Sequence, residues 1–305
     1  MLKKSSKIFL AGHNGMVGSA ILRLLKKRGF QNILIKSKKQ LDLTNQKKTY
    51  DFLKKNKPDY VIIAAALVGG IKKNIDFKPD FLIKNSLIAS NLIHGSYLAK
   101  INNLLFLGSS CVYPGNLKKK ISENILLKGE LEKSNEGYAL AKIFGIKLCE
   151  YYSEYYNLNY FSLMPCNVFG PGDNYDLNTS HFLPAILKKI RLIEQNKMKH
   201  LYLWGDGKAL REVIYVDDLA DACLYFLNKQ SNPTLINIGT DIEFSIKNFA
   251  EQIMKILNIK AKIKFHKTNI KGTYRKKLDT SLAKKLGWKF KTKFNNAIIK
   301  TYELL

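Results

Sequence analysis

Cysteine is scarce: Cys111, Cys149, Cys166 and Cys223 are the only four among 305 residues. None stands at C-x-x-C spacing, so neither zinc ligation nor a disulfide framework is indicated, and no metal site is expected. Long apolar runs are missing too, since no window reaches the ~18 unbroken apolar residues of a membrane span. The opening MLKKSSKIFLAG holds only a short apolar stretch that runs into glycine, without the longer core and cleavage site of a signal peptide. The expectation is a cytoplasmic protein with no membrane partner. Acidic residues are few, 24 against 51 Lys and Arg, which leaves a formal net charge of +27. Such a balance raises nucleic-acid binding, but the lysines are scattered along the whole chain and no recognition motif accompanies them. No nucleic-acid partner is therefore expected, whereas an anionic small substrate would be favoured by the same field. With hydrophobic residues at 46% and aromatics at 11%, the chain has the apolar content to bury an ordinary globular core.

What is present alternates. KIFLAG (7–12), ILIK (33–36), YVIIAAA (60–66), NLLFLGSS (103–110) and NYFSLMPCNVFG (159–170) are strand-length apolar runs separated by helix-like stretches, notably near 81–100 and 138–156. These runs lack polar alternation, as strands covered on both faces do. The pattern predicts an α/β fold, a doubly wound parallel Rossmann sheet with a smaller α/β substrate-binding lobe. The dinucleotide-binding part is expected over 1–166 with a return segment at about 212–240, and the lobe over 167–211 and 241–305. LYLWG (201–205) and LINIG (235–239) read as further strands, and 182–195 and 246–257 as helices.

After the first strand, GHNGMVG places Gly12, Gly15 and Gly18 at the opening of a helix. Glycines there allow a tight turn and close approach of a pyrophosphate, whose charge the helix amides meet. Gly12, Asn14, Gly15, Met16, Val17 and Gly18 are the candidate cofactor contacts, with His13 able to orient the loop. The second strand ends in Lys36-Ser37-Lys38-Lys39 with no acid before Asp42. Cations there suit a 2′-phosphate, so NADP(H) is the expected cofactor, with Lys38 at the phosphate. Asp42, beside Leu43, suits either the adenine or the cap of the next helix.

Tyr138 and Lys142 stand at i and i+4, on one helix face. A neighbouring ammonium is expected to lower the phenol's pKa and make it a proton donor and acceptor near neutrality. Together with the glycine loop, this pair resembles the extended short-chain dehydrogenase/reductase superfamily. That resemblance implies Ser109 as the carbonyl's hydrogen-bond partner, with Ser110 its neighbour, and Tyr138 and Lys142 as the rest of the catalytic trio. It also sets Leu107, Gly108, Ser110, Lys142, Pro165, Asn167, Val168 and His181 around the cofactor.

Longer strings narrow the resemblance. AGHNGMVGSAI, AAALVGGI, LLFLGSSCVYP, NEGYALAKIFGIKLCE, GDNYD followed by His181, and WGDGKALREVIYVDDLA are similar to the GDP-L-fucose synthase family over about 7–288, nearly the whole chain. The family implies an NADPH-dependent 3,5-epimerase/4-reductase acting on GDP-4-keto-6-deoxy-D-mannose. Ser-Ser-Cys stands where sugar-nucleotide dehydratases carry Thr-Asp-Glu, which removes the acid/base equipment of dehydration. Carried over by position, Cys111 is the base at C3 and C5, and His181 the acid that reprotonates the enolate. Lys189, Trp204, Arg211 and Lys276 are then expected around the GDP-sugar, although surface cations and a core tryptophan are the plainer alternatives. A homodimer through the helices near 81–100 and 138–156 is likewise implied. The chain departs from the pattern at Asn14, a cation in the family. Gly137 replaces a proline and is expected to loosen the turn before Tyr138, and the run from Asn269 to Lys276 alters an expected acidic contact. The alternatives are another sugar-nucleotide epimerase or reductase of the same branch, or an idle NADP-sensing or nucleic-acid-binding module. Retention of Tyr138 and Lys142 argues against idleness, and retention of Cys111 and His181 against a simple C4 epimerase.

Overall fold

The computed structural model describes residues 1–115, 117, 119–266 and 273–305. In chain order its elements begin with β1 (Ile8–Ala11), α1 (Met16–Lys27), β2 (Ile33–Leu34), α2 (Gln46–Asn56), β3 (Tyr60–Ile63), α3 (Ile71–Asp76), α4 (Lys78–Leu98), β4 (Asn103–Leu107), α5 (Glu136–Tyr156), β5 (Asn159–Pro165) and β6 (Asn167–Phe169). The chain continues through α6 (Phe182–Glu194), β7 (His200–Trp204), β8 (Leu210–Tyr215), α7 (Val216–Leu227), β9 (Leu235–Ile238), β10 (Glu243–Ser245), α8 (Ile246–Ile256), β11 (Lys262–His266), β12 (Arg275–Lys276), α9 (Ser281–Lys285) and α10 (Phe294–Glu303).

Every residue of β1 and β3 is buried, which explains why these runs carry no polar alternation. They belong to a parallel sheet ordered β2-β1-β3-β4-β5-β9. Helices α2, α4 and α5 pack side by side in one layer, and α1 packs on α7 in the other. The expected doubly wound sheet is thus present. From β1 the chain goes out to β2 and returns past β1 to β3, so the order reverses between β1 and β3. At such a reversal the loops beyond the strand ends part and leave a crevice.

The apolar run over 159–170 is two strands, not one. It changes sheet at Cys166, whose amide donates to Ile238 O at 2.9 Å as the last tie to β9. Beyond it, β6 joins a smaller mixed sheet: β6 and β12 follow one another in parallel along one edge of β8, and β10 runs antiparallel along the other. A parallel pair, β7 and β11, completes the smaller lobe.

Glu212 of β8 is fully buried and holds this lobe together. Its Oε1 accepts from the amides of Thr240 and Asp241, each at 2.7 Å, and its Oε2 from that of Leu278 at 2.9 Å. Burial raises its pKa, and these three donors oppose the shift. Gly239 makes the approach possible, since a Cβ there would lie 2.3 Å from Glu212 Oε1.

Candidate active site

Two loops wall the crevice. After β1, Gly12 turns with φ +91°, and a Cβ there would stand 2.5 Å from the Ala65 amide nitrogen, in the loop that follows β3. The Gly15 amide closes the turn on Gly12 O at 3.1 Å. Gly15 then occupies the N-cap position of α1 with no side chain to accept from the first-turn amides. They remain available to an anion. Gly18 is packed tightest, its hypothetical Cβ only 2.0 Å from Gly12 O. Met16 and Val17 are half-buried between them, Asn14 is exposed, and His13 Nδ1 has no hydrogen-bond partner. The geometry fits a dinucleotide cradle. Gly18→Ala should force the loop open at an overpacking cost of about 1–3 kcal/mol, hence roughly ten- to hundredfold weaker binding of a nicotinamide dinucleotide by fluorescence titration with the fold retained.

Lys36, Lys38 and Lys39 are exposed just past β2. Asp42 does not cap α2. Its Oδ1 accepts from the Thr44 amide at 3.0 Å and hydroxyl at 2.8 Å, and the cap is Asn45, accepting from the Lys48 amide at 2.9 Å. Leu43 O accepts from Asn91 Nδ2, which pins this stretch to α4.

The end of β4 carries the next group of candidate residues. Gly108 is pressed against β5, and a Cβ there would lie 2.1 Å from Met164 Sδ. Ser109 follows in extended backbone, its Oγ accepting from the Cys111 amide at 3.4 Å at the start of a single 3₁₀ turn, Ser110–Val112. Ser110 and Cys111 are buried in that turn. The turn is anchored from behind. Tyr113 Oη donates to Asn237 Oδ1 at 2.7 Å, and Asn237 Nδ2 donates to the carbonyls of Ile121 at 2.9 Å and Asp279 at 3.2 Å.

Across from it, α5 presents Tyr138 and Lys142. Gly137 is inside the helix and does not loosen a turn: a Cβ there would sit 2.6 Å from Lys78 O, so glycine lets α4 and α5 meet closely. Lys142 is buried, donates to Leu107 O at 2.6 Å and lies 4.6 Å from the Phe106 ring centroid. Burial draws its pKa down to about 8, with Cys111 opposing. The ammonium stands 5.7 Å from the Tyr138 ring centroid. The expected lowering of the phenol does not occur, because burial, and secondarily Cys111, push Tyr138 above its ordinary value while Lys142 is engaged by Leu107. Tyr138 is therefore a firmly protonated phenol. Burial likewise raises the Cys111 thiol; Lys276, Ser109 and Lys142 work against that rise, and Glu132 adds to it.

His181 stands at the N-cap position of α6 and makes no capping bond, so it is not a helix cap. Surrounding protein draws its pKa down from the ordinary histidine value, although the side chain keeps an exposed face to solvent. The loop after β3 steadies it: Gly70 N donates to Thr179 O at 2.9 Å, and a Cβ on Gly70 would meet that oxygen at 2.8 Å.

The expected substrate residues divide. Trp204 is 51% exposed, not a core residue; the buried tryptophan is Trp288. Lys189 ties α6 to β7 by donating to Tyr202 O at 2.7 Å and is half-buried, so it is not the free surface cation of the plainer alternative. Arg211 donates to the carbonyls of Leu210 at 2.7 Å and Tyr274 at 3.4 Å, and Lys276 pairs with Glu132 at 3.0 Å. Asn167 donates to Glu212 O at 2.9 Å, between buried Cys166 and half-buried Val168, with Pro165 closing β5. Of the altered segment, Asn269 to Gly272 lie outside the described residues. Sequence reasoning missed Glu132, Tyr113 and Asn237. Each is an ordinary residue outside any glycine or catalytic spacing.

All four cysteines are free, and no group of three or more metal-ligating side chains occurs among the described residues. No helix among them is long and apolar enough to cross a membrane.

Residues 8–239 match the model of the NAD dependent epimerase/dehydratase family. GDP-L-fucose synthase 1 of Arabidopsis thaliana is 42% identical over 303 residues, covering 99% of this chain and 94% of that protein. GDP-L-colitose synthase of Yersinia pseudotuberculosis is 39% identical over 297 residues, covering 97% and 96%. Among solved structures, the NADP-bound GDP-mannoheptose C4 reductase of Campylobacter jejuni superposes with TM-score 0.91 at 34% identity, covering 100% of this chain and 99% of that one.

Proposed function

The chain belongs to the NAD dependent epimerase/dehydratase family, within its GDP-L-fucose synthase branch, and from that premise we propose that it converts GDP-4-keto-6-deoxy-D-mannose to GDP-L-fucose. The reaction combines 3,5-epimerisation with NADPH-dependent reduction of the 4-ketone. The observation that carries this reading is the buried Cys111 thiol, which is electrostatically coupled to the half-buried Tyr138 phenol and the buried Lys142 ammonium. A reductase that leaves the neighbouring carbons alone has no use for a base there. A 4-ketone acidifies the hydrogens on C3 and C5, so a thiolate at Cys111 can take them while His181, carrying a proton as imidazolium, delivers it to the opposite face of the enolate. Ser109 Oγ hydrogen-bonds the ketone, and Tyr138 donates its proton to the oxygen as the alcohol forms. Bound NADPH supplies the hydride. Lys36, Lys38 and Lys39 would meet its 2′-phosphate, Gly12, Gly15 and Gly18 its pyrophosphate, and Lys142 its ribose.

Arg211 and Trp204 are the residues we assign to the GDP-sugar, a guanidinium for the diphosphate and an apolar wall. We also propose a homodimer through α4 and α5, whose free faces expose Ile83, Leu87, Phe144 and Tyr155. The division into a dinucleotide-binding part and a substrate lobe is kept as proposed from the sequence, and a cytoplasmic setting suits the reduced cofactor.

The test is to supply GDP-4-keto-6-deoxy-D-mannose and NADPH. Equimolar NADPH oxidation and GDP-L-fucose by NMR are expected; no oxidation, or only the unepimerised 6-deoxy product, would overturn the assignment. A second reading, another GDP-sugar epimerase or reductase of this branch, is favoured by the colitose and heptose relatives. It predicts turnover of their keto sugars in preference.

A further inference from the structure

We propose that Glu132 is a positioning residue for the Cys111 base: its carboxylate fixes the Lys276 ammonium near the thiol, so that the charge favouring the thiolate is in place before substrate arrives. The inference rests on the reading of Cys111 as the base.

Glu132 lies in the segment leading to α5, and Lys276 in β12 of the smaller lobe, 144 residues later. Glu132 Oε2 accepts from Lys276 Nζ at 3.0 Å and from the Thr273 hydroxyl, while Oε1 accepts from the Ser134 hydroxyl at 2.6 Å. Both side chains of the ion pair are close to buried, 13% and 11% exposed. Little salt screening reaches such a pair, and three fixed donors leave the carboxylate one orientation. Burial raises the Glu132 pKa, but Lys276, Ser134 and Thr273 outweigh it and hold the carboxyl at about 2. It is therefore an anion throughout the working range. A lysine on its own flexible stem would extend into water. Here the ammonium is tied down in the smaller lobe by a carboxylate from the larger one.

The charged and titratable groups facing Cys111 are Lys142 and Tyr138 from α5, Lys276 from β12 and Glu132 itself, and Lys276 is foremost among those that favour the thiolate. Glu132 thus acts on the thiol in two opposite ways. Its own negative charge disfavours the thiolate, while the cation it holds favours it. If Lys276 stayed in place without help, removing the carboxylate would make the thiol more acidic. If Glu132 holds it there, removal lets the ammonium withdraw and makes the thiol less acidic. The sign separates the two cases.

The measurement is the pH dependence of iodoacetamide alkylation at Cys111 in the full-length protein without substrate, followed by mass spectrometry of the peptide carrying that residue. Glu132→Gln is expected to move the midpoint upward and slow alkylation at pH 8 by about tenfold, as a shift of one unit does below the midpoint. Lys276→Met should shift the midpoint upward by more, because the carboxylate's own charge then stays beside the thiol, and the double variant no more than Lys276→Met alone. An unmoved or lowered midpoint in Glu132→Gln overturns the proposal. Should that variant fail to fold, Glu132→Asp, which keeps the charge but withdraws it by one methylene, must show a smaller upward shift, and none would overturn the proposal equally. A shifted midpoint with undiminished deuterium exchange in Cys111→Ser would overturn the base reading and leave the placement of Lys276 intact.

Discussion

Cys111→Ser is expected to slow solvent deuterium entry at C3 and C5 of the keto sugar by about 10²–10⁴-fold, the usual worth of a general base. NADPH binding should be unchanged, because the residue sits in the 3₁₀ turn beyond Ser109 and outside the glycine loop. Burial holds the thiol above its ordinary value. Below that raised value the thiolate fraction grows as pH rises, so exchange by the parent protein should climb through and beyond the normal thiol range of about 8.5. The serine variant should lose the climbing limb. NMR of the sugar after incubation in D₂O, with NADPH left out so that exchange is isolated from reduction, reads both effects. Equal exchange in variant and parent would return Cys111 to the role of a small buried packing residue.

The complementary result is expected from Tyr138→Phe. Loss of the phenolic proton should cut ketone reduction by about 10²–10⁴-fold while deuterium exchange and NADPH binding persist. The sign of the phenol's displacement matters here. A raised pKa keeps the proton on oxygen at all working pH, which is the form needed to donate to a developing alkoxide. Tyr138 therefore contributes no pH dependence to reduction between pH 6 and 9. Lys142, drawn down to about 8, is charged below that value and neutral above it, so reduction should fall as pH rises past it. Exchange rising with pH and reduction falling with pH, in one site, is the expected signature. A phenol that titrated in the same range would instead make reduction depend on Tyr138 ionisation, and stopped-flow NADPH oxidation across pH distinguishes the two.

Much of this was legible in the residues because it follows from local rules. The glycine spacing before α1, the i, i+4 placement of Tyr138 and Lys142 and the unbroken apolar character of β1 and β3 each depend on near neighbours in the chain. The expectations that changed depend on tertiary environment. A tyrosine near a lysine reads as an acidified phenol until burial and the Leu107 carbonyl are known. Gly137 reads as a loosened turn until the Lys78 carbonyl is found against it. Lys189 and Lys276 cannot be told apart among so many lysines, yet one braces a strand and the other faces the thiol. Glu132 carries no local signal, because its partners arrive from another lobe.

The tie between Tyr113 and Asn237 has a consequence for the order in which the protein comes into being. The two residues are 124 positions apart, and Asn237 reaches on to Asp279. On the ribosome, the glycine loop, Tyr138 and Lys142 emerge well before the residues that clamp the turn carrying Cys111. Early folding of the N-terminal part would therefore give a nascent chain with a nucleotide crevice and an unplaced thiol. The turn carrying Cys111 acquires its address only when the stretch from Asn237 onward closes behind it, so truncation before Asn237 should abolish deuterium exchange into the keto sugar before it abolishes the crevice.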